Sequence, residues 1–203
     1  CNLIARFWDV NEGEIKIGGN NIKDYTVENL MNNISMVFQD VYLFEDTIEN
    51  NIKFGNQNAT REDVIDAAKK AQCHDFIVSL PQGYDTIVGE GGASLSGGEK
   101  QRISIARAML KDAPIIIFDE ATANIDPENE DKLKLAIESL TKNKTVIMIA
   151  HRLKTIRNAN QILVLNKGCI EQRGTHDELM RQGGIYKDFV DAKSKSENWS
   201  LNN

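Results

Sequence analysis

Apolar positions in this chain recur at two periods, and the points where the period changes mark its elements. Leu3, Ile4, Phe7 and Trp8 stand at helical spacing and predict the apolar face of a helix already under way at the first residue. Glu14 to Ile17 alternates as a strand does, and Gly18-Gly19-Asn20-Asn21 predicts a turn. A short helix is expected over Val27 to Met31, and Ile34 to Phe38 predicts a buried strand ending at Gln39. Thr47 to Ile52 is helical in pattern, and Thr60 caps a further helix carrying Val64, Ile65, Ala68 and Ala71. Pro81, Gly83 and the glycine cluster from Gly89 to Gly92 break the chain. Ser96 then opens a helical run through Ile103, Ala106 and Leu110, with Glu99 in capping-box position. From about Glu45 to Asp112 the pattern is therefore almost wholly helical.

Beyond Asp112 the period shortens. Ile115 to Phe118 is a continuous apolar run, the kind that parallel sheets bury on both faces. Asp126 caps a helix with Pro127 at its first position and Leu133, Ile137 and Leu140 as its inner stripe. Thr145 to Ile149 predicts a second buried strand. Gln161 to Leu165 and Cys169 to Arg173 flank a turn at Asn166-Lys167-Gly168, which makes a hairpin. Thr175 with Glu178 forms another capping box, Gly183-Gly184 ends that helix, and Lys193 to Asn203 is expected to be a frayed polar tail. Strands alternating with helices predict an α/β layered core interrupted by a helical insert.

Composition narrows the function classes. With 203 residues and 41% hydrophobic content the chain can bury the core of one domain. Twenty-four basic against thirty acidic residues leave a net charge of −6 and no basic stripe, which argues against duplex nucleic acid as a direct partner. Runs such as Ile115 to Phe118 and Val146 to Ala150 fall far short of the ~20 residues of a membrane helix. Cys1, Cys73 and Cys169 are odd in number and lack metal-ligand spacing, as expected of a reducing compartment.

The chemistry concentrates at a few points. Leu95-Ser96-Gly97-Gly98-Glu99 puts two glycines in the first turn of a helix, so its free N–H groups and positive dipole end face outward and suit a phosphate. Asp119 and Glu120 follow the Ile115–Phe118 strand at its carboxyl end, the edge where open parallel sheets bind ligands. Adjacent carboxylates there can divide the work, one toward Mg²⁺ and one toward a water, although alone they also fit a solvated acidic turn. His151 follows the Thr145–Ile149 strand in the same way and could meet a γ-phosphate or its attacking water. Gln39 ends a third strand; its amide can ligate Mg²⁺ or hold a water, and it equally fits a plain loop residue. His74 and His176 receive no role.

Together these pieces resemble the nucleotide-binding domain of the ATP-binding cassette (ABC) family over nearly the whole chain. Gln39 matches its Q-loop, Leu95 to Glu99 its signature, and Ile115 to Asp119 its Walker B strand. Glu120 matches its catalytic glutamate, Ala123 to Asp126 its D-loop, and His151 its switch histidine. The D-loop is Ala-Asn-Ile-Asp where the family more often has Ser-Ala-Leu-Asp, with Asp126 kept. Val37 to Phe44 with Thr47-Ile48, and Gly174 to Leu179 with Gly184-Ile185-Tyr186, look like the exporter branch. The resemblance implies an α/β fold with a P-loop NTPase-type, mostly parallel sheet flanked by helices and an inserted helical subdomain. Its divisions would be 1–44 as core up to the Q-loop, 45–112 as helical subdomain with the signature helix, 113–193 as core, and 194–203 as tail.

It also implies an ATPase that powers export. Two such domains face each other head to tail around two ATP molecules. Ser96, Gly97, Gly98, Glu99, Gln101 and Asp126 would contact ATP, Glu120 and His151 would be catalytic, and Gln39 and Asp119 would serve Mg²⁺. The implied partners are a second nucleotide-binding domain and a transmembrane domain, with no nucleic acid, and the implied place is the cytoplasmic face of a membrane. One departure is large: no G-x-x-x-x-G-K-[ST] phosphate loop occurs in these residues. The opening helix is expected to be the end of the one that follows such a loop. The chain is thus expected to be truncated before or within that helix, to lack the first strands, and to be inactive alone. Two rival readings are a soluble ABC ATPase without a transport role and a non-catalytic module that lends its signature to a partner's ATP.

Overall fold

A computed structural model describes residues 1–92, 94–119, 127–149 and 156–200 and folds the chain as two units, Cys1–Ile149 and Ala150–Asn203. The first unit opens on a single closing turn where the spacing predicts a helix. Phe7 N donates to Asn2 O and Arg6 N to Leu3 O, with Arg6 left-handed at φ 54°. That is the hydrogen-bond pattern of a helix C-terminus, and it stops helical propagation at Arg6. Leu3, Phe7 and Trp8 are left exposed. Arg6 reaches on to the carbonyls of Ile22, Lys23 and Tyr25. A hairpin of β1 (Lys16–Ile17) and β2 (Asn20–Asn21) turns on Gly18 and Gly19, both at positive φ as a two-residue hairpin loop requires.

Helix α1 (Val27–Asn32), capped by the Thr26 hydroxyl, leads into strand β3 (Ile34–Phe38). The insert that follows is mostly helical: α2 (Ile48–Lys53), α3 (Arg61–Lys70), α4 (His74–Ser79) and α5 (Gly97–Lys111). It is not wholly so. Asp46–Thr47 (β4) pairs antiparallel with Ile87–Val88 (β5), a contact between segments forty residues apart that no local pattern reveals. Strand β6 (Ile115–Asp119), helix α6 (Pro127–Thr141) and strand β7 (Thr145–Ile149) complete the unit.

Strands β3, β6 and β7 form one parallel sheet in the order β3-β6-β7. Successive β6 residues face opposite sides, so Ile116 and Phe118 pack toward α5 and α6 while Ile117 packs toward Ile22, Leu30 and Ile34. The first cluster includes Ile103, Ile105 and Ala106 of α5 and Leu133, Ala136 and Leu140 of α6, each nearly or fully buried. Burying such side chains supplies roughly 1.5–3 kcal/mol apiece. β7 departs from its expected burial: Val146 and Ile149 are exposed, because β6 is its sole strand neighbour among the described residues.

In the second unit β8 (Ile162–Asn166) and β9 (Cys169–Gly174) form the expected hairpin, turning on Lys167 and Gly168 at positive φ. Helix α7 (His176–Gln182) carries the Thr175–Glu178 capping box and ends at Gly183. The buried Gln172 donates to Gly183 O at 2.8 Å and accepts from Tyr186 N at 3.0 Å. Of the segment expected to fray, residues 201–203 lie outside the described residues, and residues 193–200 continue helix α8 (Ile185–Ser200). Its first turns pack Tyr186 and Val190 into the cluster of Ile162 and Leu179.

Hydrogen bonds from Thr175 hold the Glu178 carboxyl below its ordinary pKa, and bonds from Thr60 do the same for Asp63. A carboxylate lowered in the folded state stabilises above its unfolded pKa, and that contribution is lost as pH falls through the folded value. The melting temperature of the wild type is therefore expected to drop below about pH 4. Glu178→Gln is expected to melt lower than wild type at pH 7 and to converge with it in acid. Thermal denaturation followed by circular dichroism at stepped pH checks this, and parallel curves for the two proteins would refute it.

Candidate functional site

Two features built by separate parts of the sequence converge at the carboxyl end of β3. The first is the start of α5. Ser96 Oγ accepts from Glu99 N at 3.3 Å, and Glu99 Oε2 accepts from Ser96 N at 2.8 Å, so the reciprocal box fixes the helix start. Ser96 and Gly97 are exposed, and a Cβ placed on Gly97 would meet nothing within 4 Å. Gly98 is buried beside it. The first N–H groups of a fifteen-residue helix thus stand behind a face with no side-chain bulk.

The second feature is the sheet edge. Phe38 is the register partner of Asp119, and Asp119 of Ile149, so the three strands end level. Each is followed within two residues by a polar residue singled out from the sequence: Gln39, Glu120 and His151. Gln39 is exposed and Asp119 half-buried. Glu120, Asp126 and His151 lie outside the described residues.

Gln101 joins the two features. It is buried, and its Nε2 donates to Phe38 O at 3.2 Å, so the start of α5 is tied to the end of β3 one residue before Gln39. The amide is engaged with this backbone carbonyl.

The segment after Gln39 is built around two residues that the sequence analysis passed over. Asn51, 1% exposed, holds residue 44 as a strand partner would: its Oδ1 accepts from Phe44 N at 2.9 Å and its Nδ2 donates to Phe44 O at 3.0 Å. Arg107 of α5 donates from Nε to Asn51 O at 2.8 Å, from Nη2 to Asn51 Oδ1 at 3.1 Å and from Nη1 to Tyr42 O at 3.3 Å. Its guanidinium also lies over the rings of Phe44 and Phe54. Desolvation lowers its pKa to about 10. A signal was available. Asn51 falls between Ile48 and Ile52 on the buried side of α2, and Arg107 falls four residues after Ile103 on the inward side of α5. A polar group at such a position needs a partner.

Tyr42, Phe44 and Phe54 nevertheless keep half their surface exposed, with ring centroids 5.5 Å and 4.8 Å apart in sequence. They rim a groove of about 330 Å³ whose walls include Phe38, Asp40, Arg107 and Lys111. Contiguous exposed aromatics beside a groove mark an interaction surface. Among the described residues no group of three or more His, Cys, Asp or Glu could hold a metal ion. None of the helices is long and apolar enough to cross a membrane, again among the described residues.

Comparison with known proteins shows the family of this chain. The family described as ABC transporter matches residues 1–123. The ATP-dependent lipid A-core flippase of Haemophilus influenzae (strain 86-028NP) is 51% identical over 188 residues, covering 92% of this chain and 32% of the flippase. A putative multidrug export ATP-binding/permease protein of Staphylococcus aureus (strain NCTC 8325 / PS 47) is 51% identical over 186 residues, with the same two shares. The chain thus spans about a third of the length of the curated relatives it matches. A solved structure of a bacterial Atm1-family ABC exporter with ATP bound superposes with a TM-score of 0.88 at 44% identity, over 95% of this chain and 34% of that one.

Proposed function

This chain belongs to the ABC transporter family as an exporter-type nucleotide-binding segment, and from that premise we propose that it supplies one half of an ATP-hydrolysing site that drives export across a membrane. In the proposed arrangement two copies, or this chain and a related one, meet head to tail. Ser96, Gly97, Gly98 and Glu99 of one protomer close over a triphosphate held by the other, with Gln101 and Asp126 at the same interface. Glu120 takes the proton of the attacking water, and His151 contacts the γ-phosphate. The observation that carries this reading is the level ending of β3, β6 and β7, with Gln39, Glu120 and His151 following within two residues in the sequence.

Gln39 and Asp119 fit Mg²⁺ by their chemistry. Both offer oxygen donors at one end of the sheet, Asp119 as the register partner of Phe38 and Gln39 as the next residue after Phe38, and a cation that keeps several waters and binds substrate phosphates needs only one or two protein ligands. When bound, Mg²⁺ would neutralise charge on the phosphates. Gln39 and Asp119 would hold it, and Glu120 would take the proton.

The aromatic rim of Tyr42, Phe44 and Phe54, three to fifteen residues after Gln39, is proposed as the landing surface for a transmembrane partner. The unit would then sit on the cytoplasmic face of that membrane. Functional divisions at 1–44, 45–112, 113–193 and 194–203 belong to the same proposal.

The test is an ATPase assay with Mg²⁺ on two polypeptides. The 203 residues contain no G-x-x-x-x-G-K-[ST] run, so alone they are expected to show no turnover above background. Preceded by a segment bearing that loop, they are expected to hydrolyse ATP. An inactive longer polypeptide would overturn the catalytic reading.

A further inference from the structure

The segment that carries Gln39 is strung between two points on one helix. At its start Phe38 O accepts from Gln101, and four residues later Tyr42 O accepts from Arg107. Both donors belong to α5, the helix that begins at Gly97 immediately after Ser96. Gln39, Asp40 and Val41 bridge the interval. Gln101 and Arg107 stand six residues apart, about 9 Å along an unbroken helix, so any shift of α5 moves both anchors together.

Arg107 is the unusual anchor. Burial lowers its pKa, and it forms no ion pair with any carboxylate among the described residues. A desolvated cation without a counter-ion is costly, and packing alone would be met by an apolar side chain. What a planar fork adds is several acceptors held at fixed angles. Here those acceptors are the backbone of residues 42 and 51 and the Asn51 amide, and the fork is braced by the rings of Phe44 and Phe54.

We propose that Arg107, with Gln101 as the second anchor, is a positioning residue through which the Ser96 helix sets where Gln39 stands. Closure of Ser96–Glu99 over nucleotide is then transmitted along α5 to the Gln39 segment, so metal binding at Gln39 depends on the helix that senses the opposite protomer. The inference rests on the reading that Gln39 serves Mg²⁺ beside ATP.

The test uses the full-length protein with Glu120→Gln, so that nucleotide is not consumed, and Mn²⁺ in place of Mg²⁺. Free Mn²⁺ followed by electron paramagnetic resonance gives the metal affinity in the presence of ATP. Arg107→Lys keeps the charge and loses the fork. It is expected to weaken Mn²⁺ about fivefold, the scale of one net hydrogen bond, with ATP affinity in the absence of metal unchanged. Gln39→Ala is expected to weaken Mn²⁺ as well, and the double variant is expected to match Gln39→Ala alone. Should Arg107→Lys unfold the protein, Phe44→Leu removes one bracing ring and is expected to give a smaller loss, likewise absorbed by Gln39→Ala. Additive losses, or full metal affinity in Arg107→Lys or Phe44→Leu, would overturn the inference alone. Full metal affinity in Gln39→Ala would overturn the Mg²⁺ reading, and the inference with it.

Discussion

Replacing Glu120 with Gln in the phosphate-loop-bearing protein is expected to lower ATP turnover by about 10²–10⁴-fold, the range for removing a general base. At about 1.4 kcal/mol per decade, that is roughly 3–6 kcal/mol of transition-state stabilisation. Gln keeps the size and polarity of Glu but cannot accept the proton of the attacking water. ATP should still bind, because the Ser96 helix start, Gln39 and Asp119 are untouched. A dimer that persists with ATP and Mg²⁺ is therefore the second expected result, detectable by size-exclusion chromatography. Undiminished turnover would mean that Glu120 is not the base and would favour a module that only lends its signature face to a partner.

The second large effect is structural, at Gly55. A Cβ there would lie 2.1 Å from Arg107 O and 3.0 Å from Arg107 C, with Lys111 N at 3.3 Å. All three atoms are α5 backbone and cannot swing aside as a side-chain tip would. Overpacking costs about 1–3 kcal/mol and occasionally more, and a clash between two backbones belongs at the upper end. Gly55→Ala is expected to lower the melting temperature by about 6–12 °C, taking roughly 2–4 °C per kcal/mol for a chain of this size. Gly97→Ala is the contrasting variant. Nothing lies within 4 Å of its Cβ position, so the fold should tolerate it within about 0.5 kcal/mol. It should instead weaken ATP-dependent pairing of protomers. Calorimetry of both variants separates a glycine kept for packing from one kept for a ligand, and equal melting temperatures would refute the distinction.

How legible each feature was follows from the range of the interaction that makes it. Strands β3 and β6 and the Thr60, Ser96 and Thr175 caps were readable because each depends on residues within one turn or one short run. Gln39, Asp119 and the Ser96 turn were readable because a strand end or a helix start shows in the local pattern. The β4–β5 pair was not, since two-residue strands have no periodicity and their partners lie far apart. The Asn51–Arg107 network was hidden for a related reason. Each residue looks like an ordinary polar interruption until its partner, fifty-six residues away, is in place. The helical continuation over residues 193–200 was not legible, because local polarity predicts fraying whereas Tyr186 and Val190 anchor the helix from its first turns.

The sequence by itself determined the identities and spacing of the polar residues at three strand ends, the glycine turn that opens α5, and the alternation that makes an α/β core. Those are consequences of side-chain period and backbone hydrogen bonding, which act over a few residues. Only the tertiary structure decided that the three strand ends fall level, that β7 lies exposed at an edge, and that both ends of the Gln39 segment hang from one helix. These depend on which surfaces meet across the core, and burial of a desolvated cation such as Arg107 is tolerable only once distant carbonyls have been brought to it.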